Sequence, residues 1–349
     1  MSNNSQSFLD PLAVHQQMLC GQLHHFLASL PPILYGDVVR ALEEPGKLFS
    51  QPPSEVDHSY PVTPAGIWSL LTLAIIEYIA PDINPLCASN VAIATECCIC
   101  AIDLLDDIID DDQTSIVQDL GTSRVVNIST ALLMLAQRAI LSLSSMGMSS
   151  VLVIQLLDVL QDEISVCTSG QHQDILAESK PIQEFTDEMC LEMARQKAGS
   201  LMRLACALGT LCAMADDHVC RLFAELGELL GIANQLDNDC HDLYYLLQDG
   251  KAPLSSTEMK SVPKPIKTDL IRGKKTLPIV LAAKSDADFE MSLLSDRESN
   301  QTNALHKGIL GTWGICLLYR ERAHDCLQEI EEARQHPISP SLRFLLGFT

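Results

Sequence analysis

The stretch Asp103-Leu-Leu-Asp106-Asp107-Ile-Ile-Asp110-Asp111-Asp112 constrains this chain more than any other. It continues an apolar segment of helical period, where carboxylates are normally absent. In a helix, positions 103, 106, 107 and 110 lie three or four apart and share one face, with Asp111 beside Asp107. Carboxylates that close repel, and partial burial raises the cost. A hard divalent cation with oxygen ligands removes both objections. Magnesium is the natural choice, because it usually completes its coordination with substrate phosphate.

The rest of the chain reads as all-helical. Leu152, Leu156, Leu157 and Leu160 have the three-to-four spacing of a buried stripe, and no run alternates as a strand does. Helices are expected at about 12–30, 64–80, 87–112, 123–146, 149–168, 181–215, 216–249, 276–284, 302–334 and 338–346. Pro31-Pro32 should end the first helix, and Pro45, Gly46, Pro52, Pro53 and Pro61 mark irregular chain after it. Pro253 to Lys275 reads as a loop. Residues 1–64 therefore form a helical and irregular extension. Residues 65–349 form one all-α domain, with its chemistry between long central helices.

Composition excludes several functions. Lys and Arg total 23 against 45 Asp and Glu, a formal charge of -22, which suits neither a nucleic-acid backbone nor an anionic membrane surface. Apolar windows such as Ile67 to Ile79 are too short or too interrupted to span a bilayer. The 13 cysteines lack zinc or redox spacing, and Cys97, Cys98 and Cys100 read as buried thiols of a reducing compartment. With no secretory signal at the amino terminus, a cytoplasmic location is expected.

A second polar break falls at Gly231-Ile-Ala-Asn-Gln-Leu-Asp-Asn-Asp-Cys-His-Asp242, where Asn238, Asp239 and Asp242 repeat the spacing of Asp106, Asp107 and Asp110. Two such clusters, each ending an apolar helical run, fit two walls of one cleft. Magnesium between them would bridge carboxylates to a diphosphate and neutralise charge on a departing group.

Together these segments resemble the trans-prenyl diphosphate synthase superfamily, the class I isoprenoid enzymes. Two further segments add to the resemblance. Lys197-Ala-Gly-Ser-Leu-Met-Arg203 is similar to that family's Lys-Thr-Ala/Gly-x-Leu helix, and Gly273-Lys-Lys-Thr-Leu-Pro278 to its Gly-Lys-x-Thr-Leu-Pro segment. The resemblance covers about 65–346. It implies the isoprenoid synthase fold, a bundle of long helices around a deep central cavity with the aspartates at its mouth. It also implies a substrate, an allylic prenyl diphosphate, and three magnesium ions. Asp106, Asp107 and Asp110 would bind two of the ions, and Asp239, Asp242 and Asn238 the third. Lys197 and Lys274 or Lys275 would contact the diphosphate, and Gln235 would line the region beneath the metals. Many members of the family pair as homodimers through helices, an assembly open to this chain.

The chain departs from chain-elongating members in two places. Its upstream segment is Pro45-Gly46-Lys47-Leu48-Phe49, where they carry Gly-Gly-Lys-x-Arg-Pro, and Gln113 to Gly121 lacks their Arg-Arg-Gly. Both segments serve a second diphosphate, that of isopentenyl diphosphate. The second cluster also begins with Asn238 instead of Asp, and a helix would point Asp237 away from Asp239 and Asp242. A terpene synthase, quenching the cation within its own molecule or with water, is the preferred reading. A prenyltransferase remains the alternative. It would pass the group to a non-standard acceptor such as a peptide, or elongate with arginines supplied elsewhere, such as Arg124, Arg138 or Arg203.

Ala101 and Ile102 face the region where the family limits product length, and neither is a bulky ring, so the resemblance implies a pocket able to admit a long prenyl chain. Trp68 and Trp313 read as core packing, and His241 as a cleft-edge residue. One of Tyr244 and Tyr245 is expected to face the cavity. On the late helix carrying Tyr319, Arg320 and Arg322, an arginine, Arg322 in the first instance, could reach the diphosphate. Lys264, Lys267, Arg272, Lys274 and Lys275 read as a segment covering it.

Overall fold

The computed structural model describes residues 6–50, 64–112, 114–248, 272–286, 289 and 299–348. Gln113, the prolines at 52, 53 and 61, Lys264 and Lys267 lie outside the described residues, as does the side chain of Tyr245. Among the described residues every regular element is helical. They are α1 Gln6–Leu27, α2 Pro32–Leu42, α3 Ile67–Ile79, α4 Pro85–Ile109, α5 Ser115–Leu120, α6 Thr122–Leu141, α7 Ser150–Glu178, α8 Asp187–Ala194, α9 Ser200–Cys212, α10 Asp217–Gln248, α11 Leu277–Ser285, α12 Ser299–Arg334 and α13 Pro340–Leu345. The expected bundle of long helices is present.

α4 is the central helix. Asn84 accepts a hydrogen bond from the Leu86 amide at 3.0 Å, and Pro85 sits in the first turn, where its missing N–H costs nothing. Its middle, Val91 to Ala101, is wholly buried against α3, α6 and α9. Glu96 is the exception in kind: its Oε2 accepts from the Ser69 amide (3.2 Å) and hydroxyl (2.9 Å). On the far side α9 packs between α7 and α10, and α10 runs along α12.

Several boundaries depart from the sequence reading. Pro31-Pro32 ends α1 but also opens α2, because proline fits a first helical turn; Val38, Ala41 and Leu42 then join the core. Leu19, Leu23 and Leu27 of α1 belong to that same core cluster. The short α5 was not anticipated. α4 stops at Ile109, earlier than expected, with Asp110 as its C-cap and Asp111 at φ 55°. Asp111 therefore leaves the helical face on which it would stand beside Asp107. Carboxylates crowding the negative end of a helix oppose its continuation. α7 runs ten residues beyond the expected end at 168, to Glu178. The helix continues through Gly170, which is buried in mid-helix against Gln196 and Lys197.

Two stretches, Pro85–Ile109 and Thr122–Met146, are in fact long and apolar enough to cross a membrane, with mean hydropathies of 1.6 and 1.5. The apolar part of the first is 83% buried inside the protein and that of the second 50%. For α4 the apolar length serves the bundle interior.

Candidate active site

A cavity of about 480 Å³ lies among α4, α7, α9 and α10, with Trp68 reaching it from α3. Its apolar wall is Trp68, Ile102, Leu105, Ile109, Cys167 and Leu201. Its polar rim holds Asp103, Asp106, Gln171, Lys197, Gln235, Asp237 and Asn238. A small adjoining recess shares Lys197 and Gln235 and adds Asp174, Asp239, Lys274, Lys275 and Thr276. The two acidic clusters, more than a hundred residues apart, thus meet around one space.

Lys197 stands at the centre because of local backbone geometry. Between α8 and α9, Arg195–Gly199 form a π-helical turn, a bulge that re-aims side chains and is common at functional sites. Glycines grip this turn on both sides. A Cβ on Gly170 of α7 would lie 2.7 Å from Gln196 Cβ and 3.0 Å from the Lys197 nitrogen. A Cβ on Gly231 of α10 would lie 2.5 Å from the Ala198 oxygen. So placed, Lys197 Nζ is 2.8 Å from Asp174 Oδ2 and 3.8 Å from Asp106 Oδ1. Burial pulls its ammonium pKa down, but the two carboxylates more than offset this and leave it raised.

The Arg272–Lys275 segment folds over the end of α4. Arg272 donates to the Ile109 carbonyl at 2.7 Å, satisfying the helix C-terminus, and pairs with Asp110 (3.1 Å) and Glu178 (2.5 Å). Lys274 Nζ lies 2.5 Å from Asp110 Oδ2 and 3.9 Å from Asp174. Lys275, expected as an alternative diphosphate contact, donates to the Glu178 (3.2 Å) and Gly273 carbonyls instead, and burial lowers its pKa. Lys274 is the member of the pair that faces the acids.

On the opposite wall, Gln235 Nε2 donates to Asp239 Oδ1 at 2.8 Å, and Asp239 is 8% exposed. Asp237 lines the main cavity beside Asn238, whereas Asp239 lines the recess, so the two point apart as their helical positions imply. Asp107 and Asp242 fall outside the lining of both spaces. Burial, followed by repulsion from Asp103, Asp112 and Asp106, pushes the Asp107 carboxyl up to about 7.

Arg322 is exposed and outside the lining of both spaces. Arg320 reaches the rim instead, donating to Asn234 Oδ1 at 3.2 Å with Asp237 at 3.8 Å. Trp68 is a cavity residue as well as a packing one, whereas Trp313 packs against His241 and Tyr244. Sequence reasoning passed over Asp174 and Gln171. Their signal was a glycine and two polar residues, Gly170-Gln171 and Asp174, inside a helix that continues past them.

Among the described residues, no three Asp, Glu, His or Cys side chains converge as a ready metal cage. Asp106 and Asp110 turn towards lysines, whose ammonium groups supply the positive charge between the walls. The donor set is nevertheless one that magnesium uses, carboxylate and amide oxygen throughout. Gln171 Oε1 and Thr276 Oγ1 are buried without a hydrogen-bond partner among the described residues, and both stand in this region. The oxygen donors present fit a hard, oxygen-liganded cation.

Fold and site thus define a helical bundle whose apolar chamber opens beneath facing carboxylates and lysines. The profile of the polyprenyl synthetase family matches residues 66–308, and this chain belongs to that family. It is 23% identical to the geranylgeranyl diphosphate synthase of Sulfolobus acidocaldarius over 58% of this chain and 60% of that protein. It is 35% identical to the enzyme of the same name from Mycobacterium tuberculosis, over 36% of this chain and 32% of that one. The geranylfarnesyl diphosphate synthase of Aeropyrum pernix is 28% identical over 53% and 56%. The chain therefore matches less than two thirds of the length of these relatives. The structure of the geranylgeranyl pyrophosphate synthetase from Pyrococcus horikoshii superposes with a TM-score of 0.69 at 18% identity, over 99% of this chain and 97% of that one. The heptaprenyl diphosphate synthase of Staphylococcus aureus gives 0.69 at 16% identity, over 97% and 96%. The all-α fold is shared with both.

Proposed function

We propose that this chain is a prenyltransferase. It ionises an allylic prenyl diphosphate and transfers the prenyl group to a second substrate. The observation carrying this reading is Lys197, set between Asp174 and Asp106 at the rim of an apolar chamber. The names of the curated relatives support transfer over the terpene-synthase preference drawn from the sequence.

Lys197 and Lys274 would bind the diphosphate oxygens, exchanging carboxylate partners for phosphate. Magnesium would be held by Asp106, Asp107 and Asp110 on one wall and by Asn238, Asp239 and Asp242 on the other. Bound there, it would supply neutralisation of charge on the leaving diphosphate. Gln235 would orient the head group through its bond with Asp239. Ile102, Leu105 and Leu201 would exclude water from the allylic carbon as its bond to oxygen breaks and the electron pair leaves with the diphosphate. Free thiols throughout accord with a reducing, cytoplasmic setting.

One observation favours the terpene-synthase reading as a second. The cations near the first cluster that would hold another diphosphate are occupied. Lys47 pairs with Asp103, Arg40 with Glu44 (2.5 Å) and Asp119 (3.1 Å), and Arg124 with Asp37 (2.5 Å). Incubation with magnesium and allylic diphosphates of 10, 15, 20 and 25 carbons, with and without isopentenyl diphosphate or another acceptor, separates the two. Turnover that requires the acceptor supports transfer. Hydrocarbon or alcohol formed without one replaces it with the synthase reading.

A further inference from the structure

The carboxylates of α4 divide between two sides of the chamber. Asp106 and Asp110 turn to Lys197 and Lys274, which seat the first diphosphate in the reading above. Asp103, one turn below Asp106, lines the same chamber and pairs with neither of those lysines. Its partner is Lys47, from the turn after α2. The Lys47 side chain is 13% exposed and that of Asp103 42%, so the chamber meets the carboxylate and not the ammonium. Burial pulls the Lys47 pKa down, but Asp103 more than offsets this and leaves it raised, so the lysine stays charged and committed.

The mechanism above gives Asp103 no part, yet it stands where a second substrate has to come. A nucleophile aligned for the allylic carbon approaches from the side away from the departing oxygen, and that oxygen leaves towards Lys197 and Lys274. On that side the charge is unfavourable to another anion. Asp107 stands one turn above Asp103 on the same face of α4. Arg40 is held by Glu44 and Asp119, and Arg124 binds Asp37 through both Nε (2.9 Å) and Nη2 (2.5 Å). A second diphosphate would have to draw Lys47 off Asp103 and then lie beside a carboxylate stripped of its partner.

We infer that the Asp103–Lys47 pair sets the class of acceptor: a nucleophile without phosphate, uncharged or carrying a positive group away from its reacting atom. The inference rests on the transfer reading above and names its second substrate. The acceptor's π or lone-pair electrons form the bond to the allylic carbon, the carbon–oxygen pair leaves with the diphosphate, and the diphosphate takes the proton the acceptor then loses. Asp103 acts by repulsion as much as by attraction, excluding the wrong acceptor.

The test fills the first site with geranyl thiolodiphosphate and magnesium, which bind without ionising. Isopentenyl amine, isopentenol and isopentenyl diphosphate, one skeleton with different head groups, are then titrated by calorimetry. Wild type should bind the amine about tenfold or more tighter than the diphosphate, the scale of a like-charge penalty. Asp103→Asn frees Lys47 and should reverse that order, and Lys47→Met should tighten the amine further without admitting the diphosphate. Asp103 is partly exposed and asparagine keeps its shape, so that variant is expected to fold, as circular dichroism checks. Wild type that binds the diphosphate as well as the amine, or Asp103→Asn with the wild-type order, overturns the inference and leaves prenyl transfer standing. Failure to bind the thiolodiphosphate, or product from geranyl diphosphate alone, removes the transfer reading and this inference with it.

Discussion

Gly231→Ala separates packing from function at this site. A Cβ at position 231 would stand 2.5 Å from the Ala198 oxygen and 2.7 Å from Gly199 Cα, both backbone atoms of the π turn. Restoring an ordinary heavy-atom separation of about 3.5 Å requires α10 and the turn to part by about 1 Å. Overpacking of this kind costs about 1–3 kcal/mol. Alanine in place of a mid-helix glycine returns about 1 kcal/mol, so the net destabilisation is about 0–2 kcal/mol. In a domain of this size that lowers Tm by a few degrees, at roughly 2–4 °C per kcal/mol. Catalysis should suffer far more. The turn carries Lys197 and α10 carries Gln235 and Asp239, and a displacement of about 1 Å between reacting groups costs on the order of 100-fold. The assay is diphosphate release under single-turnover conditions, alongside calorimetric melting. Gly227→Ala is the control: its Cβ would lie 2.7 Å from the Met202 oxygen, a comparable clash one turn further from the rim. It should lose similar stability and much less activity. If Gly231→Ala retains wild-type kcat/KM, or if Gly227→Ala loses equally much, the close approach at 231 does not position the site.

Three other expectations follow from the same geometry. Lys197→Met should lower kcat/KM by about 10²–10³, the usual loss when one charge-stabilising donor is removed; a loss below about threefold would exclude Lys197 from diphosphate contact. Arg320→Ala, which removes a group beside Asn234 and Asp237, should raise KM for the allylic diphosphate severalfold while Arg322→Ala leaves it unchanged, and the reverse pattern would restore Arg322. Asp107, raised to about 7, holds a proton in the folded metal-free protein that the unfolded chain has already released above its ordinary value near 4. Its contribution to stability therefore falls as pH rises through that window. In chelator the melting temperature should drop between pH 5 and pH 7.5, and Asp107→Asn should flatten that drop; an unchanged slope in the variant assigns the dependence to other groups.

Much of this protein is legible from local pattern alone. Helical class follows from the three-to-four spacing of leucines such as Leu152, Leu156 and Leu160, because burial of one face is a property of neighbours on a single helix. The two aspartate clusters are legible for the same reason: carboxylates interrupt apolar helical runs at Asp106 and again at Asp239. Capping and backbone exceptions were harder. Pro32 as a helix start and Gly170 as a mid-helix contact each carry the opposite meaning in an isolated sequence window.

What sequence by itself determined was an all-helical chain carrying two acid-rich walls, two lysine-bearing segments and an apolar interior. Tertiary packing alone decided which lysine meets which carboxylate. Lys197 and Asp174 are 23 positions apart and Lys274 and Asp110 are 164, so their pairing depends on how whole helices approach. It also chose Arg320 over Arg322 at the rim and Lys274 over Lys275 at the acids. Neighbouring residues on a chain share composition, but a helix or loop sends their side chains in different directions, and only the packed bundle says which direction faces the substrate.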